Sequence, residues 1–315
     1  MAYSPTSMKS LRTMATATCV VALLPIGLGA LVTTLKAGMA FADWPSSDGQ
    51  NMLLYPFLKD FSTRPDKFVE HGHRLAGVVI GLTAVALAFK CWPMRGWVRN
   101  FGLGILIAVI LQGLLGGARV LLDAGTLAMT HSMTGALFFS FCVVFRMLLS
   151  EQSAQWLATR ERHLGAVGFA AGCVMPAIVL LQYFLGGMLR HLHMLRNEHI
   201  IGAIVTLMVC CWAGVSLIRG SNPALRRCGV AVVGAVFLQF SLGLGALVTR
   251  FGFRQLGYVS VTGSLEQAVL CSLHTVVGIF LVASSVSSCV LLVMLSRRGL
   301  IASTSLEMPV DTIPG

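Results

Sequence analysis

The chain of 315 residues is 56% hydrophobic and only 11% charged, with a mean hydropathy of +0.81. That balance excludes an ordinary soluble domain. The formal net charge of +11 follows from connections between apolar runs, which suits lipid headgroups as its counterpart and argues against nucleic acid.

Eight runs, at about 14–35, 72–92, 101–121, 130–149, 165–189, 199–218, 229–250 and 268–296, are long enough to cross a bilayer. The expected fold class is therefore an all-α integral membrane protein of eight transmembrane helices. The first run follows Lys9 and Arg12 and ends before Ala40-Phe41-Ala42, which imitates a signal-peptidase site. It is expected to be a retained helix nonetheless. It exceeds the roughly 7–15 residues of a signal core, and its Gly27-Leu-Gly-Ala-Leu-Val-Thr33 recurs letter for letter as Gly243-Leu-Gly-Ala-Leu-Val-Thr249 in the seventh run.

More repetition follows along the chain. Leu-Gln-x-x-Leu-Gly occurs at 111–116, 181–186 and 238–243, in the third, fifth and seventh runs, and each even-numbered run opens on a histidine: His73, His131, His199 and His274. The chain reads as one helical hairpin used four times. Paired as segments 1–4 and 5–8, the hairpins give two pseudo-symmetric four-helix bundles, residues 1–150 and 151–302, whose cores are places to hold a cofactor. A tail over 303–315, with Pro309 and Pro314, reads as disordered, and Pro25 and Pro176 are expected to kink their helices.

Lys9, Arg12, Lys90, Arg95, Arg99, Arg146, Arg160, Arg162, Arg219, Arg226, Arg227, Arg297 and Arg298 fall in the termini and the even-to-odd connections, thirteen of the 23 basic residues. The positive-inside rule makes that side cytoplasmic. A multi-pass protein of the cell inner membrane is expected, with cytoplasmic termini and all four histidines toward the outer face. The nine cysteines put no pair in an outer loop and form no CxxC, so packing is their reading.

The histidines carry the chemistry. His73, His131 and His274 are each followed four residues later by glycine, at Gly77, Gly135 and Gly278, and His199 is followed three residues later by Gly202. An imidazole with a side-chain-free position one turn along can ligate iron while a flat macrocycle lies close to the backbone. Two such helices face to face hold one haem between two histidines. A lone histidine at headgroup level is more often an interfacial hydrogen-bonding group, but four at corresponding points of a repeat favour haem. His71 points to another helix face, His163 falls in an inner loop, and His191 and His193 lie beside Arg190 and Arg196. These four read as solvated, with His71 and His191 as reserve ligands.

Glu70 precedes His73 by three residues, so the two share a face if the helix already extends there. A carboxylate at the membrane edge is costly unless paired or used. Two roles stay open: a working carboxylate beside His73, or a helix-start residue ion-paired with Arg74. Ala128, Arg196 and Cys271 stand three residues before the other histidines, so the two haem sites are expected to differ in chemistry.

Glu70-x-x-His73-Arg74, the histidines opening helices 2, 4, 6 and 8, and the first outer loop Gly38-Met-Ala-Phe-Ala-Asp43-Trp44-Pro45 with Asp48-Gly49 together resemble the haem A synthase family over about residues 15–296. The resemblance implies that the N-terminal half receives haem O as substrate and the C-terminal half holds haem b as cofactor. His199 and His274 would ligate haem b, His73 and His131 would flank the substrate haem, and Glu70 would take part in catalysis. The implied reaction oxidises a ring methyl of haem O to a formyl group by two hydroxylations with oxygen from water, for cytochrome oxidase biogenesis. Haem O synthase and an electron acceptor are the implied partners.

Arg119, Arg190 and Arg250, at the outer ends of helices 3, 5 and 7, are candidate propionate contacts or snorkelling interfacial arginines. The chain departs from the family in having no cysteine pair in the first outer loop, and in offering Thr34 and Lys36 where an arginine often follows the first helix. Two readings of other classes stand beside the enzyme. One is a di-haem b electron-transfer membrane cytochrome with a structural Glu70. The other is a non-enzymatic haem transporter or chaperone in which Glu70 is dispensable.

Overall fold

The computed structural model describes residues 5–152, 155, 164–253, 255 and 257–306, with the backbone alone for 5, 6 and 297–306. Arg160, Arg162 and His163 lie outside the described residues. Among the described residues eight helices are long and apolar enough to cross a membrane. They are α1 (Pro5–Thr34), α2 (Pro65–Cys91), α3 (Trp97–Leu121), α4 (Gly125–Leu148), α5 (Ala166–Leu192), α6 (Arg196–Arg219), α7 (Pro223–Phe251) and α8 (Leu265–Leu306). The protein is an all-α integral membrane protein. Even α4, with 24 residues, extends about 36 Å at 1.5 Å per residue, more than the ~30 Å hydrocarbon core.

Every even-numbered helix starts before its apolar run. Pro65 stands in the first turn of α2, where its fixed φ suits a helix start, and Asp66 and Lys67 follow it as a polar turn that hydropathy does not register. This corrects one expectation: the four histidines do not open their helices but lie between three and nine residues past the first residue of each. The start of α7 is capped by Asn222, whose Oδ1 accepts from the backbone N–H of Ala224 at 3.0 Å and of Leu225 at 3.4 Å. α1 and α5 each continue through their internal prolines, Pro25 and Pro176. The backbone of α8 takes in residues 303–306 of the expected tail, and the remainder, 307–315, lies outside the described residues.

α1 packs on α2, α2 on α3, α3 on α4 and α4 on α1; α5, α6, α7 and α8 contact one another in the same sequence. α8 also lies against α1 and α4, and α4 against α5. One buried cluster gathers Leu87, Ile105, Phe139 and Phe145 of α2–α4 with Ile279 and Ala283 of α8. Another forms around Met175, Ala213, Val232 and Val282. Leu82, Phe89, Ile107, Leu181, Met208 and Phe237 project outward, a surface that lipid tails solvate and water would not. All nine cysteines are free.

The loops 35–64, 122–124, 193–195 and 252–264 share one end of this assembly. At the other end Arg12 pairs with Glu151, Lys90 donates to Ser10 Oγ at 2.8 Å, and Arg146 Nε donates to Thr16 Oγ1 at 2.6 Å.

Candidate functional site

The four histidines come together in two pairs. The rings of His73 and His131 face each other with centroids 6.2 Å apart and planes at 88°, and those of His199 and His274 do so at 6.3 Å and 82°. Two metal–imidazole bonds of about 2 Å in line across one iron, together with the ring radii, span roughly 6 Å. Both pairs thus have the spacing of a bis-histidine iron site. Among the described residues no three or more His, Cys, Asp or Glu gather as a metal cluster.

Each ring rests on a glycine of the preceding odd-numbered helix. A Cβ on Gly29 would lie 2.9 Å from Cε1 of His73, one on Gly116 3.2 Å from His131, one on Gly186 3.0 Å from His199, and one on Gly243 3.0 Å from His274. Any larger residue would push the ring off its position. Of the glycines that follow the histidines, Gly77 and Gly135 line the first cavity described below and Gly278 the second, and three of them also meet a glutamine. Gly135, Gly202 and Gly278 receive the side-chain amides of Gln112, Gln182 and Gln239 from the facing helices. Gln112 Nε2 donates to the His131 carbonyl at 2.9 Å, and Gln182 Nε2 to the His199 carbonyl at 2.9 Å.

α1 breaks this pattern. Pro25 stands four residues before Gly29, where α3, α5 and α7 have glutamine, and the space above Gly77 holds nothing within 4 Å of a built Cβ. His73 Nδ1 lies 2.9 Å from the Pro25 carbonyl, and His274 Nδ1 lies 3.1 Å from the Gln239 carbonyl. A carbonyl only accepts, so Nδ1 carries the proton in both and Nε2 keeps the lone pair that a metal ligand needs.

Two cavities enclose the pairs. The first, about 590 Å³, is lined by His73, His131, Glu70, Arg74, Arg119 and Trp44 among others; the second, about 330 Å³, by His199, His274, Gln182, Gln239, Tyr183 and Arg250. Both fall in the usual range for small-molecule sites. Part of the difference is the open space beside Gly77, which lines the first cavity. The facing imidazoles, the glycine floors and the flanking arginines fit a porphyrin in each.

The candidate arginines divide between the cavities. Arg119 lines the first and donates to the Gly38 carbonyl; Arg250 lines the second, with Nη2 3.4 Å from His193 Nδ1; Arg190 lines both. Lys36 also lines the first cavity.

Glu70 is only 3% exposed. Its Oε1 accepts from Arg74 Nη2 at 2.8 Å, and its Oε2 accepts from the backbone N–H groups of Ala40 at 2.7 Å and Phe41 at 3.2 Å. Arg74 Nη1 reaches on to the carbonyls of Asp43 at 2.9 Å and Ser46 at 2.7 Å. The two roles left open by the sequence therefore coincide in space. The carboxylate is ion-paired, it pins the loop between α1 and α2, and it lines the first cavity.

That loop is shaped by its own side chains. The Asp43 carboxylate accepts from the N–H groups of Asp48 at 3.0 Å and Gly49 at 2.8 Å. Burial works to raise its pKa, but hydrogen bonds from Ser46, Gly49 and Asp48 outweigh it and hold the carboxyl below its ordinary 3.8. Trp44 lies against Gly117 of α3 and lines the first cavity, so the loop closes one end of that cavity.

Of the remaining histidines, His193 is exposed as expected, whereas His71 and His191 depart from the solvated reading. His71 is fully buried and packs against Tyr55 and Phe57 with centroids 5.0 and 5.1 Å away, its Nδ1 3.2 Å from Ser47 Oγ. It is neither solvated nor a lining residue of either cavity, because the loop between α1 and α2 folds back over the first turns of α2. His191, expected in solvent, lines both cavities.

No family model matches the chain. Curated relatives do match. A protein named Heme A synthase from Symbiobacterium thermophilum is 29% identical over 195 residues, covering 59% of this chain and 60% of the relative. Others of that name are 29% identical over 150 residues in Shouchella clausii, covering 46% and 48%, and 32% identical over 116 residues in Geobacillus kaustophilus, covering 36% and 34%. The chain spans between about a third and three-fifths of the length of these relatives.

Proposed function

We propose that the chain, which is similar to proteins named Heme A synthase, acts as one, oxidising a ring methyl of haem O to a formyl group in the first cavity while the second holds haem b. The observation that carries this reading is the pairing of two iron-spaced histidine couples with unequal cavities, only the larger of which includes a carboxylate.

Each hydroxylation takes its oxygen from water and releases two electrons and two protons. The second gives a geminal diol that loses water to leave the formyl group. His73 and His131, each imidazole backed by Gly29 or Gly116, would hold the substrate haem through its iron and so position its ring methyl. Glu70 stands in the cavity wall as the acceptor of a methyl proton and as the negative charge that offsets a cation developing at the methyl carbon. Arg74 orients that carboxylate through its 2.8 Å ion pair. Trp44 and its loop keep bulk water from the site while single waters serve as reactant. Haem b, when held by His199 and His274, supplies a one-electron acceptor beside the substrate site, from which an external acceptor draws the electrons.

The packing of α1–α4 and of α5–α8, each with two glycine-backed histidines, supports duplicated halves at 1–150 and 151–302. The basic residues at the other end support cytoplasmic termini and haem sites toward the outer face of the inner membrane. Haem O synthase would supply the substrate from the same membrane, and the product would serve cytochrome oxidase assembly.

The test is conversion of haem O in membranes from cells that make haem O but lack haem A. Wild-type protein should yield haem A, and Glu70→Gln should stall conversion while haem b at His199 and His274 persists. Unchanged haem O with wild-type protein, and two haems b retained per chain, would instead favour the di-haem cytochrome.

A further inference from the structure

Four residues line both cavities: Ser132, Arg190, His191 and Thr275. Arg190 alone of these carries a permanent charge. It lies near the outer end of α5, where α5 meets α8 and the last turn of α1. Its Nη2 donates to the Ala30 carbonyl at 2.6 Å and Thr34 Oγ1 at 2.8 Å, and its Nη1 to the Cys271 carbonyl at 3.3 Å and to Thr275 Oγ1. All these acceptors are neutral. Among the described residues no carboxylate pairs with this guanidinium. The neutral acceptors fix its orientation without cancelling its charge, and a cation enclosed in a membrane bundle without a counter-ion is expensive. Arg190 lines both cavities, so an anion in either can approach it, meeting Nε–H or exchanging with one of these neutral acceptors. Arg119 and Arg250 serve one cavity each.

We propose that Arg190 is a shared anion anchor, gripping a propionate carboxylate of the porphyrin in either cavity, so that filling the first cavity changes the electron affinity of the haem in the second. This rests on the reading that His199 and His274 hold a haem. A fixed positive charge beside a haem disfavours its ferric state and raises its midpoint potential. A carboxylate from the first cavity that engages the same guanidinium offsets that charge, and the potential falls. Arrival of substrate thereby acts on the acceptor that is to take its electrons.

The experiment uses the purified full-length holoprotein and titrates the potential of the haem at His199 and His274, with and without zinc protoporphyrin in the first cavity. That probe carries the two propionates but undergoes no iron redox change. Zinc protoporphyrin should lower the potential, whereas its dimethyl ester, which has no carboxylates, should not. Arg190→Gln should lower the resting potential, abolish the response and weaken zinc protoporphyrin binding by about tenfold or more. Arg190→Lys, which keeps the charge without the fork, should retain a reduced response. An equal shift with the ester, or an undiminished shift in Arg190→Gln, overturns the proposal alone. A protein with no haem at His199 and His274 overturns the underlying reading and the proposal with it.

Discussion

His73 donates its Nδ1 proton to the carbonyl of Pro25 at 2.9 Å, and Pro25 occupies the place that glutamine fills in α3, α5 and α7. The Pro25 carbonyl orients His73 as the Gln239 carbonyl orients His274, while the absence of a glutamine side chain leaves the first cavity open beside Gly77. Proline inside a helix costs about 3 kcal/mol, so the position trades stability for space. Pro25→Gln is expected to raise thermal stability and to restore an amide against Gly77. Haem at His199 and His274 should be unchanged while porphyrin binding in the first cavity weakens. Calorimetric melting together with haem-per-chain stoichiometry checks both signs, and a variant that gains stability with full first-cavity binding would refute the role given to that space.

The glycine floors make a second prediction. Gly186→Ala and Gly243→Ala each place a Cβ 3.0 Å from an imidazole carbon, an overpacking worth roughly 1–3 kcal/mol. Reduced-minus-oxidised spectra should show loss or broadening of the second-cavity haem in both. Gly27→Ala on α1 meets nothing within 4 Å and should be neutral or stabilise the helix by up to about 1 kcal/mol. Equal effects at all three positions would mean that the floors are ordinary helix contacts.

Glu70 and Arg74 can be separated by comparing Glu70→Gln with Arg74→Gln. Both break a buried ion pair whose side chains are 4% and 7% exposed, a loss of about 3–5 kcal/mol when one charge is left behind. Both should therefore expose residues 38–49 to proteolysis. Only Glu70→Gln removes the carboxylate, so its loss of haem A formation should exceed that of Arg74→Gln. Equal losses would assign Glu70 to the loop alone.

The eight helices were legible because each is an apolar run longer than a bilayer requires, but their starts were not, since Pro65-Asp66-Lys67 is helical without being apolar. The histidine pairs were legible as a repeat, whereas the surfaces they rest on were not. The heptapeptides at 27–33 and 243–249 align Gly27 with Gly243, yet the glycines that face histidines are Gly29 and Gly243. Letter identity was therefore two residues out of register with function, and Leu24-Pro25-Ile-Gly-Leu-Gly29 is the true counterpart of the Leu-Gln-x-x-Leu-Gly elements. The burial of His71 depends on where the first outer loop folds back, and the dual lining by Arg190 and His191 depends on how α5 meets α1 and α8. Neither leaves a local trace in sequence.

The Asp43 turn should be resistant to acid. Its carboxyl is held below 3.8 in the folded protein, so the stability it contributes is present above that value and is lost as pH falls through the lower folded-state value. Amide exchange at Asp48 and Gly49 should stay slow at about pH 4 and rise only in stronger acid. Asp43→Asn should remove this acid step. Exchange that already accelerates near neutrality would show that the carboxylate does not hold the turn.

The account stands most directly on the identity of the haems that each histidine pair retains, read by pyridine haemochrome spectra and mass analysis of extracts from protein made in haem O-producing cells. Wild-type protein should yield haem b together with haem O or its oxidised products. His199→Ala and His274→Ala should lose haem b, while His73→Ala and His131→Ala should keep haem b and lose the farnesylated haem. Two equivalents of haem b with no haem O or haem A in the wild type, or a normal haem b content in both second-cavity variants, would contradict it.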